Sequence, residues 1–151
     1  MKKSMQPEVL HKVAVNGRPL YSPVIVVEGR HSIFIAGQLA PDRNGNVVGK
    51  GDMSAQIRQV CLNLKAALEA AGATVNDLVR TNTYVTDIGE FFKHVDVRTE
   101  FFGPVPPTSS TVEVRRLSTP DFLIEIDAIA VIDRRTRAAT RHGQKPPVRQ
   151  Q

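Results

Sequence analysis

The chain has 151 residues, 41% of them hydrophobic, with a single cysteine and a formal net charge of +5. That length suits one domain with a proper core, and no apolar run approaches the 18 or so residues a membrane-spanning helix needs. The basic start MKKSMQPEVL has no apolar stretch behind it, which argues against a secretory leader, and a lone Cys61 forms no intrachain disulfide and fits a reducing, cytoplasmic compartment.

The positive charge is not spread over the chain. Residues 134–151 hold six of the 20 basic residues and none of the 15 acids, which leaves residues 1–133 with a net charge of −1. A polar, proline-bearing tail of that kind cannot offset its ordering entropy by burial, so it is expected to be disordered, and a nucleic-acid partner is poorly supported. The expected organisation is a flexible segment over 1–11, one domain over 12–133 and a basic tail over 134–151.

In chain order, 12–15 suggests a short strand ahead of an Asn16-Gly17 turn. Residues 24–27 and 32–36 are rich in β-branched residues and predict a hairpin. Residues 41–52 are crowded with Gly, Asn and Asp and predict a loop. Over 54–71, Ile57, Val60, Cys61, Leu64 and Leu68 recur at three- and four-residue steps, so a helix is expected, with Asp52 or Ser54 as its cap and Gly72 as its stop. A strand follows over 78–86, then a helix over about 89–102 with Phe91, Phe92, Val95 and Phe102 on its apolar stripe. Pro104, Pro106 and Pro107 enforce an extended connection to two last strands, 111–117 and 123–132.

This order predicts an α+β domain, a mixed sheet with two helices on one face. The last strand alternates Ile124, Ile126, Ala128 and Ala130 with Glu125, Asp127, Ile129 and Val131, so apolar residues occupy both of its sides. A strand apolar on both sides is covered on both sides, and only one face has helices, so self-association over the other is expected.

Glu125 and Asp127 share a strand face about 6.6 Å apart. Paired acids can divide proton donation and acceptance between them. For Glu125 a structural ion pair with an arginine is the simpler expectation, whereas Asp127 sits deeper in the apolar run DAIAVI, where a carboxylate needs a partner or a cavity. His11, His31, His94 and His142 show no ligand-like spacing, so no metal is expected, and no phosphate-cradling glycine pattern is present. Cys61 falls on the apolar stripe of its helix and is expected to pack in the core.

Four segments read together carry a resemblance: IFIAGQLAPDRNGNVVG at 33–49, the helix and strand QIRQVCLNLKAALEAAGATVNDLVRTNTYVTD at 56–87, Phe101-Phe102, and PPTSSTVEVRRL at 106–117 followed by FLIEIDAIAV at 122–131. Over roughly 18–132 the chain resembles the Rid family, also called YjgF or L-PSP. The resemblance implies a chorismate-mutase-like subunit in a homotrimer, with small-molecule clefts between subunits and no cofactor. It also implies enamine/imine deaminase activity, the hydrolysis of 2-imino acids to 2-keto acids and ammonia.

Carried over by position, the family's N-terminal tyrosine is Tyr21 and its last-strand acid is matched by Asp127, the expected proton-transfer residue. The serine of its S-G-Q segment is replaced by Ala36 in Ala36-Gly37-Gln38. The family's arginine, whose planar fork grips a substrate carboxylate, is replaced by Ser109. Loss of that charge-assisted bond removes about 1.5 to 3 kcal/mol. Arg18, Arg98 or Arg116 is a candidate to supply the charge instead, or a neutral ligand meets the hydroxyls of a binding loop formed by Ser109, Ser110 and Thr111. A non-catalytic ligand-binding module is the alternative reading, and an endoribonuclease the third.

Overall fold

The computed structural model describes residues 2–5, 14–19, 22, 24–27 and 31–133. Near the N-terminus, β1 (Lys2–Met5) pairs antiparallel with β4 (Val24–Val27), so strand structure begins inside the segment expected to be flexible. Between them β2 (Ala14–Val15) and β3 (Arg18–Pro19) form a hairpin whose turn residues, Asn16 and Gly17, have φ of 49° and 75°. The Asn-Gly pair tolerates this left-handed backbone, which matches the twist of the flanking strands. The expected tail, 134–151, lies outside the described residues.

The expected hairpin between 24–27 and 32–36 does not form. β4 takes β1 as its partner, and β5 (His31–Gln38) pairs with β8 (Ile124–Ile132) instead. Period-two sequence marks a strand but not its partner, and β8, nine residues long, offers the longer ladder.

The main sheet has four strands in the order β5-β8-β6-β7, where β6 is Leu78–Val85 and β7 is Thr108–Glu113. β8 is antiparallel to both of its neighbours, and β6 and β7 run parallel. A parallel pair needs a long crossover, supplied here by α2 (Ile88–Lys93) and α3 (Val95–Phe101). One helix was expected over this stretch. His94 leaves helical geometry at φ −122° and ψ 16°, and its break lets Phe91 and Val95 both turn inward. Phe92, expected on the apolar stripe, is 48% exposed.

α1 (Met53–Ala70) follows its apolar stripe closely. The Asp52 carboxylate accepts the Ala55 N–H at 2.9 Å, and Gly72, at φ 74°, takes the left-handed conformation just beyond its end. Its buried side, including Ile57, Val60, Leu64 and Leu68, packs against Ile124, Ile126, Ala128 and Ala130 of β8. Burial at about 25 cal/mol per Å² of apolar surface makes this layer the main source of stability. The α+β arrangement with the helices on one face of a mixed sheet therefore stands.

β7 begins three residues before the expected strand, so Ser109, Ser110 and Thr111 belong to an edge strand and not to a loop. Thr108 is zipped onto β6 opposite Arg80, and the strand ends at Glu113, leaving Arg115 and Arg116 exposed.

Candidate functional site

Within one chain the expected site residues fall into two groups. Ala36, Gly37 and Gln38 close β5 at one edge of the sheet, while Ser109, Ser110 and Thr111 lie on β7 at the other. Three strand spacings separate those edges, about 14 Å. No small ligand bound to one subunit touches both groups. Tyr21 lies outside the described residues. The adjacent Ser22 is buried, takes the Pro107 carbonyl through its N–H at 3.1 Å and donates its hydroxyl to the Pro106 carbonyl, at the entrance to β7.

At the β5 edge the register shifts between Ile35 and Gln38, which turns the 36–38 backbone outward, and the Gln38 amide donates to the Ala36 carbonyl at 3.0 Å. The Glu125 carboxylate lies directly on Gly37, where any Cβ would collide with it. Glu125 was expected to make an ion pair, yet among the described residues no cation stands within ion-pair distance of it.

The open face of the sheet carries a chain of polar contacts. Asp127 accepts from the Asn82 amide at 2.8 Å through one oxygen and from the Tyr84 hydroxyl at 3.0 Å through the other. Arg80 donates to Asn82 Oδ1 through Nε at 3.1 Å and Nη2 at 2.8 Å, and Nη2 reaches Ser110 Oγ at 2.7 Å. The line Ser110–Arg80–Asn82–Asp127–Tyr84 thus joins β7, β6 and β8. Tyr84 is held above the usual tyrosine range, chiefly because ionisation would surrender its bond to the Asp127 carboxylate and set two anions together. Sequence reasoning missed Arg80, Asn82 and Tyr84. Their alternation with the buried Thr81, Thr83 and Val85 was the available signal.

Ser109 points the other way, toward the helices. Its Oγ lies 3.0 Å from Thr81 Oγ1 and accepts from Arg98 Nη2 at 3.2 Å. Arg98 is 2% exposed, stacks its guanidinium over the Phe102 ring with Cζ 5.0 Å from the centroid, and is pulled down to about 10 by burial. It therefore stays charged at neutral pH. Of the three candidate cations, Arg98 alone meets an expected site residue. Arg18 instead lines a cavity of about 380 Å³ with Thr99, Phe102 and Gly103, and Arg116 is exposed beyond the end of β7. Cys61 is buried and its thiol is pushed up to about 12, so it stays neutral and packs in the core.

Comparison with known proteins decides the family. The profile of the Endoribonuclease L-PSP family matches residues 12–132. The chain belongs to the Rid, or YjgF/L-PSP, family. It is 43% identical over 104 residues to a RutC family protein of Pyrococcus horikoshii, covering 69% of this chain and 82% of that one. Against the 2-iminobutanoate/2-iminopropanoate deaminase of Dermatophagoides farinae it is 28% identical over 129 residues, 85% of this chain and all of that one. In structure it is similar to the Rid protein YyfB of Yersinia pestis, with a TM-score of 0.78 and 33% identity over 87% of this chain and 98% of the other.

Proposed function

We propose that the protein is a homotrimer that binds a small metabolite in clefts between subunits and hydrolyses its C=N bond, as an enamine/imine deaminase of a reducing, cytoplasmic compartment. The observation that carries the reading is the division of the site across opposite sheet edges, with an acid held at one and hydroxyls at the other. Support also comes from the similarity to the mite deaminase. The exposed Phe34 and Val112 lie on the open face, where Phe34 stands opposite Ile129 and Val112 opposite Tyr84, and a second and third copy would cover them.

Water adds to the imine carbon to give a carbinolamine, and the nitrogen then leaves as ammonia with formation of the carbonyl. The addition needs one group to take a proton from water and another to protonate nitrogen. Asp127, whose two oxygens are oriented by Asn82 and Tyr84, and Glu125, which lies on Gly37, are the two carboxylates on the face that would form the cleft. The exposed backbone of 36–38 and the β7 hydroxyls would hold the substrate. Imines are already electrophilic, so the chemistry calls for no metal or organic cofactor.

The test is release of keto acid and ammonia from freshly generated 2-imino acids, comparing wild type with Asp127→Asn and Glu125→Gln. Turnover lost in either variant supports the assignment, and turnover unchanged in both removes it. The hydroxyl at position 109 favours a second reading, a ligand-binding module without catalysis, which predicts saturable binding and no turnover. Cleavage of RNA is disfavoured by the net charge of −1 on residues 1–133.

A further inference from the structure

Arg80 is half-buried on β6, and among the described residues its hydrogen bonds all go to neutral side chains. Its register partner on β8 is Ile129, so Asp127 is its diagonal neighbour, a place that a side chain of arginine's length can reach. Charge neutralisation alone would be best served by a guanidinium forked onto that carboxylate. No such ion pair forms. The Asn82 amide, opposite Asp127 in the ladder, stands between the two charges instead.

A side-chain amide is nearly symmetric in shape, so the end it turns to a neighbour is decided by what meets its other end. Arg80 donates to Asn82 Oδ1 through both Nε, at 3.1 Å, and Nη2, at 2.8 Å. An oxygen with both acceptor sites taken by one cation is committed, which leaves Asn82 Nδ2 to donate to Asp127 Oδ1 at 2.8 Å. Accepting from a cation also strengthens the amide as a donor. Tyr84 holds the other carboxylate oxygen at 3.0 Å. A carboxylate has about four lone-pair positions, so each oxygen keeps one open, and the plane of the group is fixed from both sides.

We propose that Arg80 is a positioning residue for Asp127: it locks the Asn82 amide with its nitrogen toward the carboxylate, and so fixes the direction in which Asp127 offers its open lone pairs to water or substrate. Ser110 Oγ anchors the guanidinium from β7 at 2.7 Å, so the lock spans three adjacent strands. The inference rests on the reading above that Asp127 transfers the proton.

The experiment is a heteronuclear NMR spectrum of the isotope-labelled full chain, with the Asn82 side-chain amide pair assigned by its loss in Asn82→Ser. In wild type the amide proton held on the carboxylate is expected well downfield of its twin. Arg80→Met keeps the stem without the cation and is expected to draw the pair together, and Arg80→Lys to restore part of the separation. An Asn82 pair unmoved in folded Arg80→Met overturns the lock. Where that variant does not fold, Ser110→Ala releases the guanidinium from β7 and is expected to shift the same pair, and no shift there overturns the lock equally. In keto-acid release Arg80→Met should lower kcat about tenfold or more with KM within about twofold, since the direction of proton transfer matters in the transition state and not in binding. Unchanged kcat in Arg80→Met, with turnover lost in Asp127→Asn, sinks the positioning role alone. Turnover kept in Asp127→Asn sinks the assignment of Asp127, and no turnover in wild type sinks the deaminase reading, and the positioning role falls with either.

Discussion

The Glu125 carboxylate of β8 rests on Gly37 of β5, in the space that a Cβ at position 37 would occupy. The Gly37 backbone lies outside the left-handed region, so alanine is allowed there by conformation and only the end of the Glu125 side chain stands in its way. Gly37→Ala should therefore cost about 1 kcal/mol or less, a shift of a few degrees in Tm, while displacing the carboxylate from the 36–38 backbone. Keto-acid release is expected to fall tenfold or more. In Gly37→Ala/Glu125→Ala the Tm should recover and the activity should not. Full activity in the single variant would show that the contact has no part in the chemistry.

Asp127 and Tyr84 give a spectroscopic handle on the open face. The bond to Asp127 stabilises the neutral phenol, so the folded Tyr84 titrates above its ordinary value of 10.0. For a raised pKa the linked stability is complete below the unfolded value, about 10, and is lost as pH rises through the folded value. The chain has two tyrosines, so a Tyr21→Phe background isolates Tyr84. Its tyrosinate absorbance is expected to rise above pH 10, and Asp127→Asn should bring that midpoint down. A midpoint that does not respond to Asp127→Asn would mean that the two groups are not bonded in solution.

Much of the frame was legible because its signals are local. The 3.6-residue recurrence of Ile57, Val60, Leu64 and Leu68 announced α1, and the alternation of β8 announced its two faces. Pairing was less legible. Val24–Val27 and Ser32 onward are both strand-like, but alternation carries no partner information, and β4 and β5, neighbours in sequence, pair in different sheets. The site suffered from the same limit. Ser110, Arg80, Asn82 and Asp127 are brought together from positions 30 and 45 residues apart by the register of three strands. The direction of Ser109 was likewise hidden until β7 was seen to begin at Thr108, which fixes which hydroxyls face the helices.

Phe34 is 76% exposed on the open face, beside Ile129, and Val112 is 47% exposed on the same side. Large apolar side chains exposed on a sheet face that no helix covers are where a second copy would pack. Phe34→Glu should reduce a trimer to monomers in sedimentation velocity at micromolar concentration, with the far-ultraviolet dichroism of the subunit unchanged. Because the two halves of the site lie at opposite edges, the monomer should also lose keto-acid release. A variant that sediments like wild type would rule out Phe34 as part of the contact.

Gln56 is fully buried on α1 and ties three distant backbone groups together. Its amide donates to the carbonyls of Gly49 at 3.2 Å and Asp121 at 2.7 Å, and its oxygen accepts the Leu123 N–H at 2.8 Å. These bonds fasten the 41–52 loop and the entry to β8 onto one helix, and so set the height at which Glu125 and Asp127 stand. Gln56→Leu keeps the approximate volume but takes away the side-chain partner of the Asp121 carbonyl and of the Leu123 N–H, while the Gly49 carbonyl keeps the Asp52 N–H, which should cost about 1 to 3 kcal/mol in a urea melt. Gln56→Glu is a sharper probe. It can still accept from Leu123 but forces a carboxylate against two carbonyls, which raises its folded pKa above the ordinary glutamate value. With that sign the variant is most destabilised at high pH and recovers as pH falls through the folded value, where the protonated carboxyl can donate again. Its deficit against wild type should be smaller at pH 5 than at pH 8, and a deficit that does not change with pH would mean that the side chain has swung away from the clamp.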